Sequence, residues 1–171
     1  EALLLALLSS RQHLGFTRII SLSFHRLRAT CILHCQRRIG KMHFSLPTAL
    51  TFDDGPTPNV TLRLLDVLAA HKVTATFFCV GSRASMCRSI ISEAYKRGHE
   101  IGSHSWSHKC FLELTDAQLY TELRRAHDCL CDIIGKPPRF MRPPFGAITQ
   151  HQRNLPLQWF DYTTILWNVD S

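Results

Sequence analysis

Short apolar runs typical of β-strands alternate with helical patterns from residue 48 onward, and this alternation constrains the fold more than any other feature. Five segments are predicted to be strands: Thr48–Phe52, Val73–Val80, Glu100–Ser103, Arg139–Met141 and Tyr162–Val169. Four segments between them are predicted to be helices: Val60–His71, Ser85–Arg97, Thr115–Ile134 and Thr149–Gln158. Repeated βα units predict an α/β fold with a parallel sheet, either open or closed into a barrel.

Residue types at the helix ends support these boundaries. Asn59 is predicted to cap the first helix, and Gly98 is predicted to end the second. The longest helix begins with a capping box from Thr115 to Gln118 and ends before Gly135.

The positive charge is concentrated at the N-terminus. The whole chain has a net charge of +7, and residues 1–47 carry seven basic side chains against Glu1. Residues 48–171 are nearly neutral, so the pI does not indicate a nucleic-acid partner. We interpret residues 1–45 as an unassigned basic leader or artefactual segment. The apolar run Ala2–Leu8 is too short to span a membrane, and neither a transmembrane anchor nor a clear signal peptide is recognised.

Asp53 and Asp54 end the first predicted strand and precede Gly55-Pro56. Adjacent carboxylates repel each other, and a metal ion bound to Asp54 would relieve the repulsion and leave Asp53 as a base. The alternative is a solvated turn, which this motif alone does not exclude.

His104 and His108 are four residues apart. On one helical turn they would face the same way and could share a metal ion. The alternative is a pair of histidines that never meet a metal, and His99 is interpreted as structural. With Asp54, the pair forms a three-ligand set with open positions, typical of a catalytic site. Such ligands suit one divalent metal ion, for example Zn²⁺ or Co²⁺.

Two further motifs follow predicted strands. Arg142 precedes Pro143-Pro144 and could hold a carboxylate ionised, while the backbone N–H of Phe145 could point at a developing oxyanion. Trp167 and Asp170 form a weaker motif, for which a buried aromatic residue is the simpler reading. The seven cysteines show no paired CxxC spacing, so a structural zinc site is disfavoured and disulfide pairing stays open.

These motifs, in this order, resemble the polysaccharide deacetylases with a NodB homology domain, carbohydrate esterase family 4. TFDDGP lies at 51–56, HSWSH at 104–108 and RPPFG at 142–146, and the resemblance covers residues 46–171. It implies a distorted (β/α) barrel that removes acetyl groups from polysaccharides. By resemblance, Asp53 is the catalytic base and Asp54, His104 and His108 bind the metal.

The resemblance assigns supporting roles as well. Arg142 would hold Asp53, Phe145 and Trp167 would contact the substrate, and Pro143 and Asp170 would support the site. The family's later Leu-x-His motif does not occur before Ser171, so we expect a domain that is incomplete at its C-terminus.

The expected substrate is a polymer containing N-acetylglucosamine, such as chitin or peptidoglycan. The expected protein is a monomer that is secreted or at the cell wall or surface. The alternative function is a non-catalytic or decayed carbohydrate-binding relative that retains the metal site.

Overall fold

The computed structural model describes residues 18–23 and 48–170, which form seven strands and five α-helices. The strands are β1 (Arg18–Ser23), β2 (Thr48–Gly55), β3 (Thr76–Cys79), β4 (Glu100–Ser103), β5 (Phe140–Met141), β6 (Thr163–Thr164) and β7 (Val169–Asp170). The helices are α1 (Pro58–Ala70), α2 (Gly81–Met86), α3 (Arg88–Lys96), α4 (Asp116–Ile134) and α5 (Leu155–Phe160). No helix in this part of the chain has the length and apolar character needed to cross a bilayer.

All seven strands are parallel and lie in the order β6-β5-β4-β3-β2-β1-β7. The end strands β6 and β7 are joined only by residues 165–168. A flat sheet would place them about 29 Å apart, whereas five residue steps span about 18 Å at most. The sheet must therefore curl until its two edges approach each other, which confirms the predicted barrel-like α/β fold.

The last predicted strand, Tyr162–Val169, is wrong as a single element, because it divides into β6 and β7. Between them, Arg142 donates hydrogen bonds to the carbonyl oxygens of Ile165 and Leu166, both at 3.2 Å. These carbonyls are thereby directed to a buried arginine rather than to a neighbouring strand. The strand β1 was not predicted at all, and it pairs with both β2 and β7.

Two predicted helices also differ from the structure. The segment predicted as Ser85–Arg97 starts at Gly81 and is divided into α2 and α3 at Cys87. The segment predicted as Thr149–Gln158 becomes a turn followed by α5, which has a proline in its first turn.

At α4, both helix ends agree with the sequence prediction. Thr115 and Gln118 form the predicted capping box, and Gly135 has the left-handed conformation of a helix end (φ 76°). Gly98 likewise follows α3 with φ 86°. The prediction that Asn59 caps α1 is wrong, because α1 starts at Pro58, two residues before the predicted start, and has Thr57 as its N-cap.

Buried apolar side chains form two clusters that hold the strand ends in place. The larger joins β2, β3 and β4 to α1, α3 and α4, and the smaller lies beneath α4, α5 and β5. The larger cluster is centred on Leu50, Phe52, Leu65, Leu68, Phe77, Ile91, Ile101 and Leu130. Burial of these side chains fixes the carboxyl ends of the strands, where the functional side chains emerge.

His99 is buried against the larger cluster, in agreement with its structural interpretation. Its Nδ1 accepts a hydrogen bond from the Ala75 amide at 3.2 Å, and its ring contacts Phe77 edge-on. Burial lowers the pKa of His99, and the positive charge of Arg97 lowers it further. Folding therefore favours the neutral ring.

We expect His99 to make the protein less stable in acid. Because its pKa is lower in the folded state, its contribution is complete above the unfolded pKa of about 6.5 and is lost as the pH falls below it. The free energy of unfolding in urea should decrease more between pH 7 and pH 5 for the wild type than for His99→Asn. Asparagine keeps an acceptor for Ala75 but does not titrate, so parallel pH profiles would contradict this prediction.

Gly102 in β4 lies against Phe78, a buried ring at the functional edge of the sheet. A Cβ at residue 102 would come within 2.6 Å of the Phe78 ring and 3.1 Å of the Phe140 carbonyl oxygen. Gly102→Ala should lower the free energy of unfolding by about 1–3 kcal/mol through overpacking. Gly98→Ala, which meets no atom within 4 Å but has φ +86°, provides a comparison that tests backbone strain alone. Wild-type stability of Gly102→Ala in urea would contradict the packing argument.

Candidate metal centre and base

A bulge at the end of β2 directs both adjacent carboxylates to one site. Side chains of successive residues on a regular strand point to opposite faces. The pairing of β2 with β3 shifts register between Asp53 and Gly55, and Asp54 has the left-handed φ of 67°. The bulge changes the direction of the Asp54 side chain relative to the strand. Arg83 donates a hydrogen bond to the Asp54 carbonyl oxygen and fixes this turn.

The two histidines lie on a loop after β4, and the prediction of a helical turn is wrong. Ser105 and His108 both have φ 61°, which a right-handed helix does not allow. The Ser105 hydroxyl accepts a hydrogen bond from the His108 amide at 3.1 Å and closes the loop. The histidines therefore converge because the loop folds back, not because they share a helix face.

Asp54, His104 and His108 meet at one point. Asp54 Oδ1 lies 3.3 Å from His104 Nε2 and 2.8 Å from His108 Nε2. One ligand atom from each of the three residues lies within 4.8 Å of the others, and Asp54 and His104 are buried. In the described part of the chain, no other group of His, Cys, Asp and Glu side chains has this arrangement.

The tautomer of His104 fits a cation at this point. Its Nδ1 lies 2.7 Å from the carbonyl oxygen of Arg142, so Nδ1 carries the hydrogen. In the neutral ring, Nε2 then presents a lone pair towards the Asp54 carboxylate. Two acceptors facing each other repel unless a cation lies between them. A hydrogen bond from Nδ1 to a backbone carbonyl, which leaves Nε2 as the ligand atom, is common in metal-binding histidines.

Arg142 is fully buried and holds Asp53. Its Nη1 donates to Asp53 Oδ1 at 2.8 Å and Oδ2 at 3.1 Å, and also to the Thr51 hydroxyl at 2.8 Å. Its guanidinium lies over the rings of Phe78 and Trp167, at 4.2 and 5.4 Å. Burial lowers the pKa of Arg142, while the charge of Asp53 raises it, and the group stays protonated in either case.

The other predicted site residues surround this centre. Phe145 has φ 61°, the residue is 66% exposed, and its ring meets His108 edge-on at 4.8 Å. The Trp167 ring covers Gly146, where a Cβ would lie only 2.9 Å from it. Pro143 is buried in the segment that links β5 to this turn. Asp170 pairs with Ser21 through the backbone, and its side chain lies outside the described residues.

Among the described residues, cysteines do not contribute to the centre. Burial raises the pKa of Cys79, and the charge of Asp53 raises it further, so its sulfur stays a thiol rather than a metal-binding thiolate. The five cysteines among the described residues are unbridged, and Cys31 and Cys35 lie outside them.

Three residues at the site were not anticipated. Thr51 lies two positions before Asp53, so the two-residue period of a strand places it on the same face and could have revealed it. Phe78 and Arg83 act through contacts between distant segments, for which the sequence has no comparable signal.

The chain resembles known proteins over most of the part that the structure describes. Residues 46–159 match the family model described as polysaccharide deacetylase. A peptidoglycan-N-acetylglucosamine deacetylase of Listeria monocytogenes is 36% identical over 126 residues, which are 72% of this chain and 26% of the relative. Chitin deacetylase 1 of Cryptococcus neoformans is 35% identical over 118 residues, covering 69% and 25% of the two chains.

A solved structure, that of the peptidoglycan deacetylase PdaC from Bacillus subtilis, is 37% identical with a TM-score of 0.66. The alignment covers 71% of this chain and 58% of that one. The chain thus spans about a quarter of the length of the two curated relatives. The matched family region covers well over half of the chain and holds the Asp54, His104, His108 cluster. The chain belongs to the polysaccharide deacetylase family.

Proposed function

We propose that the protein is a metal-dependent hydrolase that removes acetyl groups from a polysaccharide, with N-acetylglucosamine units of chitin or peptidoglycan as substrate. The observation that carries the proposal is the position of the buried Asp53–Arg142 pair beside the Asp54, His104 and His108 cluster. A hydrolase of this type needs a cation site and a separate base, and this chain offers both at one edge of its sheet.

Asp54, His104 and His108 would hold one divalent metal ion, with Zn²⁺ or Co²⁺ as the candidates. Two imidazoles and one carboxylate form a donor set that such ions accept while keeping positions open for other ligands. A divalent ion in such a site supplies Lewis-acid polarisation and lowers the pKa of bound water towards about 7.

Asp53 would act as the base. Its carboxylate would accept a proton from the water that adds to the acetyl carbonyl carbon. Asp53 would then return this proton to the amide nitrogen as the C–N bond breaks, which gives acetate, an amine and the ionised carboxylate again. Arg142 is charged at all relevant pH values and donates to both oxygens of Asp53. It keeps the carboxylate ionised and fixes its direction, so that Asp53 is ready to accept the proton.

The turn after β5 would bind the substrate. The amides of Gly146 and Ala147 donate to carbonyls within the turn, but the Phe145 amide has no acceptor among the described residues. This donor can therefore serve the oxygen on which negative charge develops. Phe145 and Trp167 add aromatic surface next to it, with Pro143 and Asp170 in supporting positions.

The choice of polymer follows from relatives whose names specify peptidoglycan and chitin. Such polymers lie outside the cytoplasm, so we propose that the protein acts in the secreted state or at the cell surface. Because the names of these two relatives specify different polymers, an assay has to identify the polymer on which this protein acts.

The proposal is tested by measuring acetate released from chitin oligomers, peptidoglycan and acetylxylan by the full gene product supplied with zinc or cobalt. Release from one of the first two polymers is expected. No release from any of them, beside an active family member, would contradict the proposal. Bound metal without acetate release would instead favour the non-catalytic carbohydrate-binding alternative.

Removal of the metal is expected to abolish acetate release. After dialysis against a chelator, the Asp54, His104 and His108 side chains remain but the Lewis acid is absent, so activity should fall to background. Addition of stoichiometric zinc or cobalt should restore it, as measured by acetate release against metal content. Full activity in protein shown to be metal-free would contradict metal dependence.

A further inference from the structure

We infer that Glu122, on helix α4, is a positioning residue that sets the geometry of the His104–His108 loop and thereby the metal affinity. This inference rests on the proposed metal site. Among the described residues, Glu122 forms its hydrogen bonds with Ser107, the neighbour of His108, and none with the three proposed ligands.

The carboxylate of Glu122 accepts two hydrogen bonds from Ser107. Glu122 Oε2 accepts a hydrogen bond from the Ser107 amide, and Oε1 accepts one from the Ser107 hydroxyl, both at 2.8 Å. Both bonds have an ionised acceptor, which makes them shorter and stronger than neutral ones. One carboxylate therefore fixes both the backbone and the side chain of the residue before a proposed ligand.

The loop needs such support because its backbone is strained. Ser105 and His108 both have positive φ, a conformation that costs a non-glycine residue about 1 kcal/mol or more and persists only where the surroundings enforce it. On one side, the amides of Gly81 and Ser82 donate to the carbonyls of Ser105 and Trp106 at 2.9 and 3.0 Å. Helix α4 supplies the support on the other side.

Helix α4 meets the loop twice on one face. Arg125 lies three residues after Glu122, on the same side of the helix, and its guanidinium stacks over Trp106 at 4.2 Å. The Trp106 ring also fills the space above Gly81, where a Cβ would lie 2.7 Å from it. The loop is thus held between α2 and α4, and Glu122 makes the contact closest in sequence to His108.

The two proposed histidine ligands differ in how their rings are fixed. His104 is held by the bond between its Nδ1 and the Arg142 carbonyl, and its side chain is only 3% exposed. For His108, the described residues provide no hydrogen-bond partner at Nδ1, and the side chain is 23% exposed. Besides the contacts of its ring with Asp54 and Phe145, the position of His108 depends on its backbone, which Glu122 holds through Ser107.

Removal of Glu122 should weaken metal binding without unfolding the protein. Loss of an outer partner of a metal ligand typically costs about 10–100-fold in affinity. We expect that loss for zinc in Glu122→Ala, measured by competition with a chromophoric chelator. The visible spectrum of the cobalt-loaded protein should change as well, because it reports ligand geometry. Glu122→Gln, which keeps one acceptor oxygen, should give an intermediate affinity.

Asp128→Asn provides the matched control. Asp128 lies on the same helix, is 54% exposed and pairs with Arg124 at 2.8 Å, so its removal changes the charge equally without touching the loop. Its zinc affinity and cobalt spectrum should match the wild type. Hydrogen exchange of the Ser107 amide in metal-free protein should accelerate in Glu122→Ala alone.

Wild-type zinc affinity, cobalt spectrum and Ser107 exchange in Glu122→Ala would overturn the inference while leaving the proposed function intact. A wild-type protein that binds neither zinc nor cobalt would contradict the proposed function instead. In that case the inferred effect on metal affinity also fails, and the exchange of the Ser107 amide alone decides whether Glu122 holds the loop.

Discussion

Asp53→Asn is expected to lower the rate of acetate release by about 10²–10⁴-fold, the range by which general-base catalysis contributes to such reactions. The amide is nearly the same size as the carboxylate and keeps one oxygen to accept the hydrogen bond from Arg142. It cannot take a proton from water at neutral pH. Metal content should stay at the wild-type level, because Asp54, His104 and His108 are unchanged.

The measurement compares acetate release per folded protein with metal content per folded protein. Normalisation is needed because the neutral amide in Asp53→Asn leaves the charge of Arg142 without its counterion, which should reduce stability. Asp66→Asn is the matched control, because Asp66 is 71% exposed and pairs with Arg97 on the surface. Undiminished turnover in Asp53→Asn would rule out the proposed base.

Arg142→Lys is expected to damage stability and activity together. The guanidinium donates at once to Asp53, to Thr51 and to the segment between β6 and β7. A single ammonium cannot reproduce this fork of donors. Disruption of a buried ion pair typically costs about 3–5 kcal/mol, and a misplaced base can cost about 10²-fold in rate.

Urea denaturation and acetate release of the folded fraction measure the two effects separately. Arg139→Lys is a close control, because Arg139 is three residues away, 67% exposed and paired with Glu100 at the surface. Exposed pairs contribute about 1 kcal/mol at most, so this variant should resemble the wild type. If Arg142→Lys and Arg139→Lys behave alike, Arg142 has no special role.

The sequence was most informative where local patterns determine structure. The alternation of strands and helices predicted the parallel sheet, and the capping box at Thr115 located the start of α4. The convergence of Asp54, His104 and His108 was predictable because each of them follows a strand, and parallel strands bring those ends together.

The geometry of the loop was less predictable, because tertiary contacts override the helical spacing. His104 and His108 have the spacing of a helical turn, but Glu122 and Arg125 hold the loop in a conformation that local propensity would not choose. Similarly, the apolar character of Tyr162–Val169 favours one strand, while Arg142 captures two of its carbonyls. Contacts between residues that are distant in sequence produce no periodic pattern from which they could be predicted.

Arg142 has two structural roles because the link between β6 and β7 is short and lies next to its guanidinium. Arg142 bonds to that link, where the barrel's two edges come together, and the same guanidinium orients Asp53. A substitution at residue 142 is therefore expected to lower stability and to misplace the proposed base at the same time, because both depend on the same guanidinium.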